Sequence, residues 1–264
     1  MNHTHKIQAY FDSSDQEWEQ KYEGGGMEAA IYEDRQHASM RLIKSHVPRG
    51  GRVLELGCGT GILGALLSDA GFDVVASDFS LRMLGKARRR IGNDKVVAAD
   101  VNHLPFMPGT FDAVVLIGVV AYLEDLPGAL SGVADVLKPG GVMVVSSANR
   151  NMLLNSVSRK LTAPFRRMIS KPAVRDPNRQ FFRETNRYYT ASEFNSQVAE
   201  TGFELVDRET VGFGRLKFGS ATIFPHRFNI FLSRGLSRLA RRRVFSKLSD
   251  YAFNNIACFR TQTA

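Results

Sequence analysis

The spacing of apolar and polar positions changes several times along the chain. Residues 27–46 carry a helical pattern that Pro48 to Gly51 close. After that, short apolar runs alternate with amphipathic stretches. Residues 52–56 (RVLEL), 73–77 (DVVAS), 95–99 (KVVAA), 111–117 (FDAVVLI) and 141–147 (GVMVVSS) read as strands. Between them, residues 62–70, 80–91 and 125–137 read as helices, with Gly71 closing the first and Ser80 capping the second. Val- and Ile-rich strands alternating with helices of about ten residues mean βαβ units and a parallel sheet. Strands this continuously apolar are covered on both faces. The expectation is an α/β fold, a Rossmann-like doubly wound sheet with ligands at the carboxyl ends of its strands.

Beyond Asn149 the alternation stops. Residues 150–189 are basic and hold Pro164, Pro172 and Pro177, which exclude one long helix. Thr190-Ala-Ser-Glu193 has the form of a capping box, predicting a helix to about Thr201 that Gly202 ends. A sixth strand follows at 203–211, a second basic stretch at 212–252, and a last strand at 252–262. Ahead of the sheet, the aromatic stretch from Tyr10 to Tyr22 precedes Gly24-Gly25-Gly26, a breaker and hinge. The expected organisation is a helical lid over 1–47 and an α/β domain over 48–264 with helical lid inserts at 150–189 and 212–252.

Composition narrows this picture. Apolar residues make up 44% and charged residues 23%, as in a globular protein. No run approaches the roughly 18 apolar residues of a membrane span, and the first residues lack a signal-peptide core, so a cytoplasmic protein is expected. Two cysteines, Cys58 and Cys258, make neither a disulfide framework nor a Cys-rich zinc site. His3 and His5 fall in a terminus expected to lack fixed structure, and no set of metal ligands has suitable spacing, so no metal is expected. Charge is divided unevenly. Residues 1–149 hold 14 Lys/Arg against 18 Asp/Glu, and residues 150–264 hold 21 against 8. The second half therefore suits an acidic partner: an acidic substrate, an anionic membrane surface or nucleic acid.

The informative constellation is Glu55-Leu-Gly57-Cys58-Gly59-Thr-Gly61, between a predicted strand and a predicted helix. Glycines here let the chain turn with positive φ and let a ligand approach the backbone. Asp78 ends the next strand, 21 residues after Gly57, where an acid accepts both hydroxyls of a ribose. Each such charge-assisted bond contributes roughly 1.5–3 kcal/mol. The frame is not that of a dinucleotide site: Gly-x-Gly-x-x-Gly would need glycine at Ile62, and Glu55 would repel a pyrophosphate. A nucleoside without phosphates and with a cationic group fits better.

The run Val53-Leu-Glu-Leu-Gly-Cys-Gly-Thr-Gly61 resembles the first motif of class I S-adenosylmethionine (SAM) methyltransferases of the small-molecule type. So do Asp78, Asp100 after the third strand, Leu104-Pro105-Phe106 with Phe111-Asp112, and Leu137-Lys-Pro-Gly-Gly141. The resemblance covers about residues 48–147, and 188–211 more loosely. It implies a seven-stranded sheet, mostly parallel with its last strand antiparallel, and SAM as cofactor with S-adenosylhomocysteine (SAH) as product. It also implies that Glu55, Gly57, Cys58, Gly59 and Gly61 shape the methionine site and that Asp78 holds the ribose. Phe79 would pack on the adenine, Asp100 with Val101 would meet its amino group, and Ile117 and Gly118 would lie beneath the methionyl chain. Where the family often has histidine, this chain has Ala121-Tyr122.

Methyl transfer needs alignment and dryness, and a base only for a weakly acidic hydroxyl. Candidate bases are His103, Tyr122, His226 and Tyr188 or Tyr189. Candidate acceptor contacts are Tyr10, Phe11, Trp18, Tyr22, Tyr122 and Tyr188, in segments that would cover the pocket mouth. In the second insert, Phe228, Phe231, Leu232, Leu236 and Leu239 share one helical face, and Arg234, Arg238, Arg241 and Arg242 another. That describes a lid helix or one lying on a membrane. The expected function is methyl transfer to a hydrophobic or amphipathic small molecule, acidic or lipid-linked, at oxygen, within a biosynthetic pathway. The alternatives are a tRNA or rRNA methyltransferase and a SAM-binding protein without turnover.

Overall fold

A computed structural model of the chain describes residues 3–24, 26–151, 177–213, 217–218, 221–222, 225–241 and 243–262. Most of the first basic insert and parts of the second lie outside these. Seven strands form one sheet: β1 (Arg52–Leu56), β2 (Asp73–Asp78), β3 (Val96–Ala98), β4 (Phe111–Leu116), β5 (Leu137–Ala148), β6 (Phe203–Val211) and β7 (Asn254–Thr261). Their order is β3-β2-β1-β4-β5-β7-β6. The first five pair in parallel, and β7 runs antiparallel between β5 and β6. As the resemblance implied, the last strand is the reversed one.

Helices cover both faces, which is why the central strands are apolar at nearly every position. On one side α6 (Leu126–Val136) and α8 (Ala191–Ala199) bury Leu130, Val133, Phe194 and Val198 against Leu54, Leu56, Val114 and Met143. On the other, α3 (Met27–His46) and α4 (Ile62–Asp69) bury Ala38, Leu42, Ile43, Leu63 and Leu67 against Val53, Val115 and Val144. Thus α3, in the stretch expected as lid, is a core helix. Beside it, α5 (Leu81–Ile91) buries Met83, Leu84, Ala87 and Ile91 along one stripe. Ser80 caps α5, its Oγ accepting from the Met83 N–H. The capping box of α8 is formed: the Glu193 N–H donates to Thr190 Oγ1 at 3.1 Å and the Thr190 N–H to Glu193 Oε2 at 2.8 Å.

Three expectations need correction. The segment around His3 and His5 is ordered: α1 (His3–Ser13) and α2 (Asp15–Glu23) lie over the carboxyl end of the sheet. Strand β5 begins at Leu137, not Gly141. A register shift opposite Phe111–Ala113 absorbs Lys138 to Gly141, and Lys138 Nζ reaches Asp112 at 2.8 and 2.9 Å. In the helix of the second insert, α9 (His226–Ala240), Phe231 does not group with the leucines as expected but shares a face with Arg238, seven residues on. The helix buries Asn229, Ser233, Ser237 and Ala240, and leaves Phe231 73% and Phe228 44% exposed. Small side chains let the helix approach Phe213, whose N–H donates to Ser233 Oγ at 3.1 Å, and only Leu232 and Leu236 join that cluster.

Candidate active site

The turn after β1 carries the centre of the site. Gly57, Gly59 and Gly61 have φ of 72°, 53° and 79°, the left-handed region that disfavours side chains. The N–H groups of Gly57 and Cys58 both donate to the Ser77 carbonyl, at 2.7 and 2.9 Å, pinning the turn to β2. A Cβ on Gly61 would lie 2.9 Å from the Ala87 backbone, so this glycine lets α5 pack against the turn. Cys58 points into the apolar cluster of Ala76, Leu84 and Ala87. Burial raises its thiol pKa well above the usual value, so it is an inert filler whose backbone, not its sulfur, shapes the loop.

Two buried carboxylates stand beside this turn. Asp78 accepts the Gly59 N–H at 2.8 Å and the Ser80 N–H at 2.9 Å. Burial pushes its pKa up to about 6 against those bonds. Glu55 is 4% exposed and its Oε2 has no hydrogen-bond partner. Burial, then the nearby Asp78, raises it to about 8. A small chamber of about 50 Å³ joins Glu55 to Gly57, Thr60, Tyr22, Tyr32 and Arg35.

Arg35 is a site residue that the motifs do not reveal. It reaches from α3 to Gly118, where a Cβ would sit 2.7 Å from its terminal nitrogen. Its Nε is buried without an acceptor, and its guanidinium lies 5.2 Å from the centre of the Tyr32 ring. No acidic side chain pairs with it among the described residues. The sequence does hold a signal: Ile31, Arg35, Ala38 and Leu42 recur at helical spacing, placing one cation within a core-facing stripe. The chamber thus brings together a half-buried cation with no acidic partner among the described residues and a buried carboxyl group whose Oε2 is unpartnered.

The chamber adjoins a cavity of about 1580 Å³, larger than the roughly 300–1,000 Å³ of a one-ligand pocket. Its wall includes Gly57, Gly59, Asp78, Phe79, Asp100, Val101, Ile117 and Gly118 of the expected cofactor set. Asp100 Oδ1 accepts the backbone and side-chain N–H groups of Asn102, and Ser146 Oγ accepts from the Gly118 N–H at 2.8 Å. The rest of the wall mixes aromatic rings, among them Phe11, Trp18, Tyr22, Tyr32, Tyr122, Tyr188 and Phe182 of α7 (Pro177–Thr185), with charged side chains such as Glu17, Lys21, Glu28 and Glu124. Tyr10 stands behind this wall, stacked on Phe181 at 4.2 Å. His103 and Tyr122 line the cavity, whereas His226 sits in the first turn of α9 and is not among its lining residues. Burial raises the phenols of Tyr22, Tyr32 and Tyr122, so these groups keep their protons at neutral pH. Among the described residues, no three His, Cys, Asp or Glu side chains form a metal-binding group.

Helices α1 and α2 close over this cavity through polar contacts. His3 Nε2 donates to the Tyr122 carbonyl at 3.1 Å, and Gln8 Nε2 to the Phe79 carbonyl at 2.9 Å. Ser80 Oγ donates to Asp12 Oδ1 at 2.6 Å. Lys86 of α5 meets Asp15 at 3.2 Å and Glu19 at 2.7 Å.

The chain is similar in sequence and fold to known methyltransferases. A family profile described as "Methyltransferase domain" matches residues 31–208. A demethylmenaquinone methyltransferase of Renibacterium salmoninarum is 36% identical over 132 residues, 47% of this chain and 56% of that one. A malonyl-[acyl-carrier protein] O-methyltransferase of Pseudescherichia vulneris is 35% identical over 113 residues, 43% of this chain and 45% of that one. The chain spans about half the length of the curated relatives it matches. Among solved structures, a magnesium protoporphyrin IX methyltransferase from Synechocystis, with SAH bound, superimposes with a TM-score of 0.64. It shares 17% identity and covers 98% of this chain and 100% of its own, a likeness of fold.

Proposed function

The chain belongs to the methyltransferase domain family, and from that premise we propose that it transfers a methyl group from SAM to an oxygen of a hydrophobic small molecule with a broad aromatic or conjugated body. The observation that carries this reading is that Arg35 and Glu55 line one small chamber beside the glycine turn. An unpaired guanidinium and an unpaired carboxyl, held apart by fixed elements, complement an amino-acid zwitterion: its carboxylate on Arg35, its ammonium on Glu55. A dinucleotide would leave both without partners. Asp78 would accept the ribose hydroxyls with the lone pairs its backbone bonds leave free. Phe79 and Val101 would flank the adenine, and Asp100 would accept from its amino group. When bound, the cofactor supplies a methyl on a sulfonium, activated for in-line displacement.

The cavity exceeds one ligand's needs, which supports a second molecule in the same enclosure. Its aromatic wall favours a flat apolar body, and α1 and α2 act as the lid that keeps water out. Three wall tyrosines keep their protons, which disfavours them as bases. That supports an acceptor acidic enough to ionise unaided, a phenol or enol, which the tyrosines orient by donating hydrogen bonds.

The test is calorimetry with SAH together with transfer of label from tritiated SAM into lipophilic phenols. Arg35→Ala is expected to weaken SAH binding by at least about tenfold, the scale of one charge-assisted pair. Unchanged affinity in that variant would overturn the zwitterion site. Label appearing in RNA and in no organic extract would overturn the acceptor class.

A further inference from the structure

Helix α9 takes no part in the cavity wall, yet its exposed face has a distinct composition. Its buried side is small and polar: Asn229, Ser233, Ser237 and Ala240. Its arginines divide into two groups. Arg234 is held by Glu33 at 2.8 Å and Asp34 at 2.9 Å, and Arg241 by Glu209 at 3.0 Å. Arg227 and Arg238 have no ion-pair partner among the described residues. They lie four residues before and seven residues after Phe231, so all three share the helix face turned away from the core. Phe231 is 73% exposed, between two uncompensated cations. Phe228 adds a second ring at 44% exposure on the flank of this face. The half of the chain that carries α9 holds 21 Lys/Arg against 8 Asp/Glu.

We propose that the outward face of α9, centred on Phe231 and flanked by Arg227 and Arg238, docks the protein on an anionic membrane surface. Charge complementarity selects the occupant. Arginines at this spacing meet lipid phosphates, while the phenyl ring between them leaves water for the acyl boundary, where a purely ionic partner would offer it nothing. The same helix is bolted to α3 through Glu33 and Asp34, the residues just before Arg35. Docking therefore fixes the catalytic cavity close to the lipid phase, where a hydrophobic acceptor resides.

The experiment is co-sedimentation of the full chain with vesicles of phosphatidylcholine alone or with roughly one-third phosphatidylglycerol. The unmodified protein is expected to bind the anionic vesicles at least about tenfold better than the neutral ones. Arg227→Glu with Arg238→Glu removes that preference. Phe231→Ser, at a position too exposed to matter for folding, weakens binding to anionic vesicles about fivefold. Equal binding to both vesicles by the unmodified protein overturns the proposal. So does wild-type-like binding by both variants, or salt-sensitive tRNA binding that these substitutions abolish without vesicle binding. SAH affinity, read by calorimetry on the same preparations, stays within about twofold in every variant. A failed docking surface is thus distinguished from a failed cofactor site.

Discussion

At the scale of single residues, the site is governed by groups that hold unfavourable protonation states or conformations until a ligand meets them. Asp78→Ala is expected to lower SAH affinity by at least about tenfold, since it removes acceptors worth roughly 1.5–3 kcal/mol each. Equilibrium dialysis checks this, and unchanged binding would mean the ribose lies elsewhere. Glu55 makes a sharper prediction. Its pKa is raised to about 8 in the folded chain from 4.5, so across that window the native state holds a proton that the unfolded state has lost. The stability of the ligand-free protein therefore falls as pH rises from about 4.5 to about 8, and Asp78 adds the same sign between 3.8 and about 6. Melting temperature against pH is expected to decline over this range and to flatten above pH 7 in Glu55→Gln. An ammonium on Glu55 favours the ionised form, so SAH binding at pH 7 is expected to release a proton. Calorimetry in buffers of different ionisation enthalpy detects that release, and Glu55→Gln abolishes it. The glycines and Asp78 stood out in the sequence because a Gly-rich turn between a strand and a helix, followed by an acid at the end of the next strand, marks a nucleoside site. Arg35 did not, because one arginine on a helix acquires meaning only when packing shows which way the helix faces.

At the scale of elements, the central strands were legible because a sheet covered on both faces makes them largely apolar. Helix α8 was legible through its capping box. The failures have one cause: contacts remote in sequence. Residues 3–13 are held as a helix by remote partners: Gln8 meets Phe79 and Asp12 meets Ser80, both between β2 and α5, and His3 meets Tyr122, none of which local composition announces. The buried side of helix α9 was not legible because small residues, not the apolar ones, set how closely it approaches Phe213. The lid itself is testable. Lys86 is flanked by Asp15 and Glu19, so Lys86→Glu places like charges across the α2–α5 contact. Limited proteolysis is expected to cut within residues 14–26 about tenfold faster in that variant, with SAH slowing the cut in both proteins. Equal rates would mean that these ion pairs do not hold the lid.

At the scale of the whole molecule, the chain separates its duties. The acidic first half builds the turn, the two carboxylates and most of the sheet. The basic second half supplies β6, β7, α8 and α9, and adds Phe182 and Tyr188 to the cavity wall. This division was visible in the charges alone, although they could not say which arginines are compensated. Among the described residues, no helix is long and apolar enough to cross a membrane. Attachment to lipid, if α9 docks as proposed, is therefore a matter of surface contact.

The position of β7 bears on how such a chain is made. Among the described residues strand β6 pairs in the sheet with β7 alone, which emerges from the ribosome more than forty residues later. During synthesis the cofactor-proximal strands can already be paired while β6 waits with open backbone groups. Slowing elongation would prolong that wait, and a chaperone that shields bare strand edges would be needed most during this interval.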